Sequence, residues 1–304
     1  MNQNNNTYLR YAYYAVFSYS IIIGFSFLFL KTALKFGNPL YLLSHRFLLS
    51  FLFLCLINKL GIIKINLQKK DYIKILPLSL FYPLLFFAFQ QFSLIYITSS
   101  LGGIILATSP IFTMILASIF LKEKSTIIQK FSICLSVIGV IYISIKSGIS
   151  LGSGLEFGIF LMLIATIALS IYNILLKKYL NQYDIISIVF AIALSAFLSF
   201  AIIALVEIFK SGDFKNYFLP FTNKYYLFSI LYLGILSTSL TSILTTFSLS
   251  RIKASQVSVF SNLSTLITIL AGIIFLHENF YYFHIIGSIL IILGVIGANI
   301  GKKK

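Results

Sequence analysis

The sequence predicts an all-α polytopic membrane protein: ten transmembrane helices built as two inverted five-helix repeats, with both termini cytoplasmic. Three observations predict it. The composition is too apolar for a water-exposed surface, the apolar residues fall into ten runs of bilayer-crossing length, and a fourteen-residue stretch returns in related form in the second half.

Of the 304 residues, 59% are apolar and 10% charged, with a mean hydropathy of +1.00, against about 45–50% and about 25% in soluble domains. Lipid must therefore solvate much of the surface, which excludes a soluble globule, a disordered chain and a disulfide scaffold. Cys55 and Cys134 both sit in apolar runs, where a thiol behaves as a small hydrophobe. The formal charge of +16 would suggest nucleic acid in a soluble protein. Here the basic residues lie between apolar runs and read as topology signals, so no nucleic-acid partner is expected. The polar stretch Met1–Arg10 leads into an apolar run longer than a signal-peptide core of about 7–15 residues, and no cleavage is expected.

A hydrocarbon core of about 30 Å takes about 20 helical residues. After the Asn-rich start, Tyr11–Leu34 is the first such run, and Leu40–Ile57 follows a Gly-Asn-Pro break. Tyr72–Ile97 and Ser99–Leu121 are separated by little more than Thr98, the tight connection expected of antiparallel neighbours. Thr126–Ile145 closes the first half. The second half holds Leu155–Leu176, Ile185–Phe209, Tyr225–Ser248, Ala254–Leu276 and Tyr281–Ile300. With the N-terminus inside, sixteen of the 23 basic residues fall in inner segments and six in outer ones, Arg46 lying within a span. That excess sets the cytoplasmic side.

The phrase Pro110–Glu123 returns 155 residues later as Thr265–Glu278, and the same offset pairs Ser93 with Ser248 and Gly139 with Gly294. At the front of each half, Phe29-Leu30-Lys31 aligns with Leu175-Leu176-Lys177, 146 residues on. The chain thus divides into residues 1–150 and 151–304, five spans each. Five is odd, so the second copy enters the membrane with reversed polarity. Inverted repeats of this kind let two halves exchange conformations about a central site, which favours a carrier.

Gly24 through Lys31, Arg46-Phe47, Pro110 through Glu123, Ile138-Gly139-Val140, Thr265 through Glu278 and Leu293-Gly294-Val295 together resemble the EamA family of the drug/metabolite transporter superfamily. The resemblance covers nearly the whole chain in two copies. It implies ten helices, cytoplasmic termini in a bacterial or archaeal cell membrane, and a path between the halves for small metabolites such as amino acids, often for export. Thr265 stands where the family pattern usually has proline, so the helix distortion expected at Pro110 is not mirrored.

Polar atoms inside lipid must face protein or water. In the third span Ser79, Tyr82, Phe86, Gln90 and Ser93 form one stripe, and the 155-residue offset carries it to Gly234, Ser237, Thr241, Thr245 and Ser248. Thr166, Ser170, Asn173 and Lys177 form another, as do Ser258, Asn262 and Thr265. The Ser and Thr positions suit helix packing, whereas Tyr82, Phe86, Gln90, Asn173, Thr241, Thr245 and Asn262 are candidate substrate-pathway residues. Pro110 removes a backbone bond and is expected to free the Leu106 carbonyl. Arg46 is the one cation well inside a span: it either serves the pathway or reaches the outer surface about 10 Å away. His45 beside it reads as an interfacial histidine. Lys31 and Glu278 on the outer side, with Lys177 and Glu123 on the inner, are expected to form two pseudosymmetric gate ion pairs.

All seven acidic residues fall at or near span ends, which argues against a dedicated proton pump. A zwitterionic or neutral metabolite suits the lining, with Arg46 or backbone amides meeting a carboxylate and aromatic walls the rest; an amino acid is the first choice of cargo. The alternatives are an uptake permease or exchanger for a nucleotide-derived or other metabolite, and, from another class, a polytopic membrane enzyme. The enzyme lacks its constellation: His277-Glu278 and His284 do not have zincin spacing. No metal and no cofactor are expected; the expected partners are a small-molecule substrate and the bilayer, and a homodimer is left open.

Overall fold

The computed structural model describes residues 2–97, 102, 105–146, 154–212, 214–276 and 281–300. Their regular elements are all helices, with no strand among the described residues. The helices are α1 (Asn2–Leu34), α2 (Pro39–Lys59), α3 (Lys69–Ser79), α4 (Phe86–Tyr96), α5 (Ser109–Phe120), α6 (Ile127–Lys146) and α7 (Leu155–Tyr179). There follow α8 (Ile185–Ser211), α9 (Lys215–Phe218), α10 (Lys224–Leu231), α11 (Thr241–Arg251), α12 (Ala254–Leu276) and α13 (Tyr282–Ile300). Two wide-turned segments, Leu80–Leu85 and Tyr232–Leu240, join α3 to α4 and α10 to α11. Among the described residues six stretches are long and apolar enough to cross a membrane: Thr7–Leu34, Pro39–Lys59, Lys70–Tyr96, Glu156–Tyr179, Ile185–Ser211 and Lys224–Arg251. Shorter apolar helices occur at Ser109–Phe120, Ile127–Gly139 and Ile285–Ala298.

Local chemistry sets the ends. Asn38 caps α2, its side chain accepting from Leu40 N–H at 2.8 Å with Pro39 at the first helical position, and Asp184 caps α8 by accepting from Ser187 N–H at 2.9 Å. Gly212, at φ 66°, ends α8 in the left-handed conformation that glycine adopts without a Cβ clash.

Each half packs mainly on the other. α1 lies against α11 and α12, α2 against α8 and the segment Tyr232–Leu240, α4 and α5 against α7, α5 against α12, and α6 against α13. The α6–α13 contact is close because Gly139 and Gly294 lack side chains: a Cβ on Gly139 would lie 2.8 Å from the Gly287 carbonyl oxygen, and one on Gly294 2.6 Å from that of Ser132. Hydroxyls tie other helices together, Ser93 Oγ donating to Gly158 O at 2.7 Å and Ser248 Oγ to Ala12 O at 2.9 Å.

Three features depart from the sequence reading. The third span is not one continuous helix. Pro83 lacks an N–H and disfavours the helical region for the residue before it, and Tyr82 is extended at φ −142°, ψ 120°. The fourth span turns at Ala107 and Thr108, so Pro110 lies in the first turn of α5, where no intrahelical donor is needed; the expected mid-helix distortion is instead a break between two helical pieces. The stretch between the seventh and eighth spans, for which the sequence analysis names no element, folds into α9 and a tight turn at Leu219–Thr222.

Candidate substrate site

The two wide-turned segments occupy corresponding places in the halves, since Leu80–Leu85 shifted by 155 residues falls within Tyr232–Leu240. Proline opens the first. Hydroxyl groups accompany the second: Thr238 Oγ1 donates to Leu233 O at 2.7 Å, Ser239 Oγ to Gly234 O at 3.3 Å and Thr241 Oγ1 to Ser237 O at 2.7 Å. Such loosened turns expose backbone carbonyls to new partners and concentrate at functional sites.

Arg46 faces the second segment. It is 4% exposed and does not reach the outer surface. Its Nε donates to Thr238 Oγ1 at 2.7 Å, and Nη2 to Ser237 Oγ at 3.2 Å and Ser237 O at 3.4 Å. The guanidinium carbon stands 4.4 Å from the centre of the Phe87 ring, a cation–π distance. Helix α2 can come this close because Gly234 has no side chain: a Cβ there would lie 2.8 Å from Leu49 Cβ and 2.9 Å from Arg46 O. Ser50 Oγ and Ser239 Oγ, 2.7 Å apart, fasten the next turn. Among the described residues no carboxylate pairs with Arg46, and the one ion pair is elsewhere.

Beside the guanidinium stands an aromatic wall. Tyr82 is 5.3 Å from Phe87, 5.5 Å from Phe86 and stacked on Tyr172 at 4.7 Å between ring centres. Because Tyr82 is extended, its ring leaves the ladder of α3 and turns toward α7. Gln90 and Asn173 are buried. Thr241 bonds back to Ser237 in the preceding wide-turned segment, and Thr245 is half-buried. Asn262 is turned to α6, donating to Ser136 Oγ at 2.8 Å, with its Oδ1 unpartnered. The structure therefore gathers Arg46, Tyr82 and Phe86, with Phe87 and Tyr172, which the polar-stripe reading could not select, and places Asn262 in a helix contact.

His45 points away from this cluster. It is fully buried, its Nδ1 2.7 Å from Tyr226 Oη, with Tyr217 and Phe221 each 4.4 Å away between ring centres. The small helix α9 and the turn after it supply two of these rings and cover the histidine.

At the far end of the bundle Glu123 and Lys177 form an ion pair at 3.1 Å. Glu123 also caps α12, Oε1 accepting from Ala254 N–H at 3.2 Å and Oε2 from Ser255 Oγ at 3.4 Å. Lys177 donates to the Ile252 carbonyl, and Lys253 Nζ to Lys124 O at 2.8 Å. Glu123 and Lys124 of the first half, together with Lys177 of the second, thus clasp the α11–α12 turn. Of the second expected pair, Lys31 is exposed and Glu278 lies outside the described residues. Toward that other end a groove of about 500 Å³ opens between Phe29, Thr32, Lys224, Phe228 and Phe275.

The profile described as the EamA-like transporter family matches residues 10–145 and, separately, 156–300. The chain is 40% identical to the uncharacterized transporter YcxC of Bacillus subtilis, over 96% of this chain and 94% of that one. It is 28% identical to an uncharacterized transporter of Archaeoglobus fulgidus, covering 90% of this chain and 92% of that one. A solved crystal structure superimposes with a TM-score of 0.78 at 13% identity, covering 95% of this chain and 98% of the other, which is a likeness of fold.

Proposed function

Because this chain belongs to the EamA-like transporter family and is a membrane transporter, we propose that it is a secondary carrier moving a small metabolite by alternating access between inverted halves, residues 1–150 and 151–304. The observation that carries this reading is the recurrence of contacts under exchange of the halves. Ser93 bonds to the Gly158 carbonyl and Ser248 to the Ala12 carbonyl, and these pairs map onto each other by the same two offsets, 155 and 146, that align the sequence repeat. Gly139 against Gly287 and Gly294 against Ser132 do likewise. With five spans in each half, ten in all, such exchange inverts the second copy.

The site region is Arg46, Tyr82, Phe86, Gln90, Asn173, Thr241 and Thr245, and the cargo is an amino acid or similar zwitterion, exported or exchanged. The Glu123–Lys177 clasp is the closed gate of one face, cytoplasmic by the excess of basic residues there, and the groove beside Phe29 lies toward the opposite face. Lys31 with Glu278 is the partner gate, formed when the clasp is broken. Both termini are cytoplasmic, in the cell membrane.

Counterflow in proteoliposomes with labelled amino acids, nucleosides and sugars tests the proposal. Saturable exchange of one class identifies the cargo, and accumulation of none of them would overturn the carrier reading.

A further inference from the structure

We infer that Arg46 and the Tyr82–Phe87–Tyr172 wall form a site for a carboxylate on a flat apolar body, and that the carboxylate, not an amine, is what the site selects. The inference rests on the carrier reading for its transport role but not for its binding chemistry. A guanidinium has five N–H donors and a full charge. At Arg46 the protein meets these with two hydroxyls, one carbonyl and one ring face, all neutral. Burying a charge in this way is costly unless a counter-charge arrives.

The described acids are engaged or remote. Glu123 pairs with Lys177 at the far end, Asp184 caps α8, Asp71 and Glu156 lie in the first turns of their helices, and Glu207 lies near the end of α8. A carboxylate supplied by the ligand matches the guanidinium fork in shape and charge. Tyr82, stacked on Tyr172 and next to Phe87, offers the adjacent flat surface. An ammonium has no comparable partner: no carboxylate among the described residues stands near the wall, and Arg46 repels it.

Binding of L-phenylalanine, phenylacetate, phenylalaninamide and phenylethylamine to the purified full-length protein, measured by calorimetry, separates the two groups. Phenylalanine and phenylacetate are expected to bind with similar affinity, and the amide and the amine roughly 10- to 100-fold more weakly. Arg46→Gln should erase that preference and Arg46→Lys keep part of it. Phe87→Leu, which leaves the charge in place, should weaken phenylacetate more than acetate if Arg46→Gln fails to fold. Equal binding of acid and amide, tighter binding of the amine, or no binding of either acid by the wild type would overturn the inference. A carrier that exchanges neutral cargo without regard to carboxylates sinks this site and spares the transporter; carboxylate binding without counterflow does the reverse.

Discussion

Gly234 shows how much of the site depends on an atom that is absent. Its missing Cβ lets α2 lie against the second wide-turned segment, and that approach puts the Arg46 guanidinium on Ser237 and Thr238. A valine there forces its side chain against Leu49 Cβ and the Arg46 carbonyl. Overpacking of this kind costs about 1–3 kcal/mol, so Gly234→Val should lower the thermal midpoint and, by parting α2 from the segment, weaken ligand binding further than lost stability explains. Calorimetric binding at a temperature where the variant is fully folded checks it; unchanged affinity would contradict the placement of Arg46. Arg46 itself was legible in the sequence because a lone cation inside an apolar run has few explanations. Its partners were not, since the register of a widened helix decides which hydroxyls face it, and Phe87 and Tyr172 look like any apolar residue until a neighbouring ring is placed.

Among the elements, long helices were read closely because twenty apolar residues have few other solutions in lipid. Their interruptions were harder. The break at Tyr82 follows from Pro83, yet a proline alone does not say whether a span kinks or loses its helical path. Pro83→Ala restores the missing N–H and releases Tyr82 to helical angles. The ring should then leave Tyr172, giving a fold at least as stable but with phenylacetate affinity reduced roughly tenfold, the loss expected of a stacked aromatic contact. Thermal unfolding and calorimetry together check this, and undiminished affinity would remove Tyr82 from the wall. The clasp between α5, α7 and the α11–α12 turn is a second element-scale device. Glu123 is 9% exposed and also holds the α12 N-terminus, so the single change Glu123→Lys should slow counterflow by setting two cations together. Combining it with Lys177→Glu should restore part of the rate, although the swapped pair places a cation at a helix N-terminus and recovery stays incomplete. A double variant no faster than the single ones would rule out the ion pair as a gate. The repeat makes Glu123 and Lys177 visible in the sequence, but not the cap on Ala254, because backbone donors at a helix start carry no sequence signature.

For the whole molecule, the packing of α1 on α12 answers that of α7 on α5, and α6 on α13 maps onto itself. Two halves that mostly touch each other have little core of their own, which is the arrangement expected when the moving parts of a carrier share one interior. Inverted polarity makes a sharp demand on topology. Lys124 follows the fourth span of the first half, and Asn279 follows its counterpart in the second, so the proposed inversion requires the two to lie on opposite sides of the membrane. In a background with Cys55 and Cys134 replaced, Asn279→Cys should react with a membrane-impermeant maleimide on intact cells. Lys124→Cys should react only once the membrane is opened, since the basic residues around it mark the inner face. Labelling of both from one side would mean an even number of crossings between them, and the symmetric exchange of gates would lose its physical basis even if transport itself were observed.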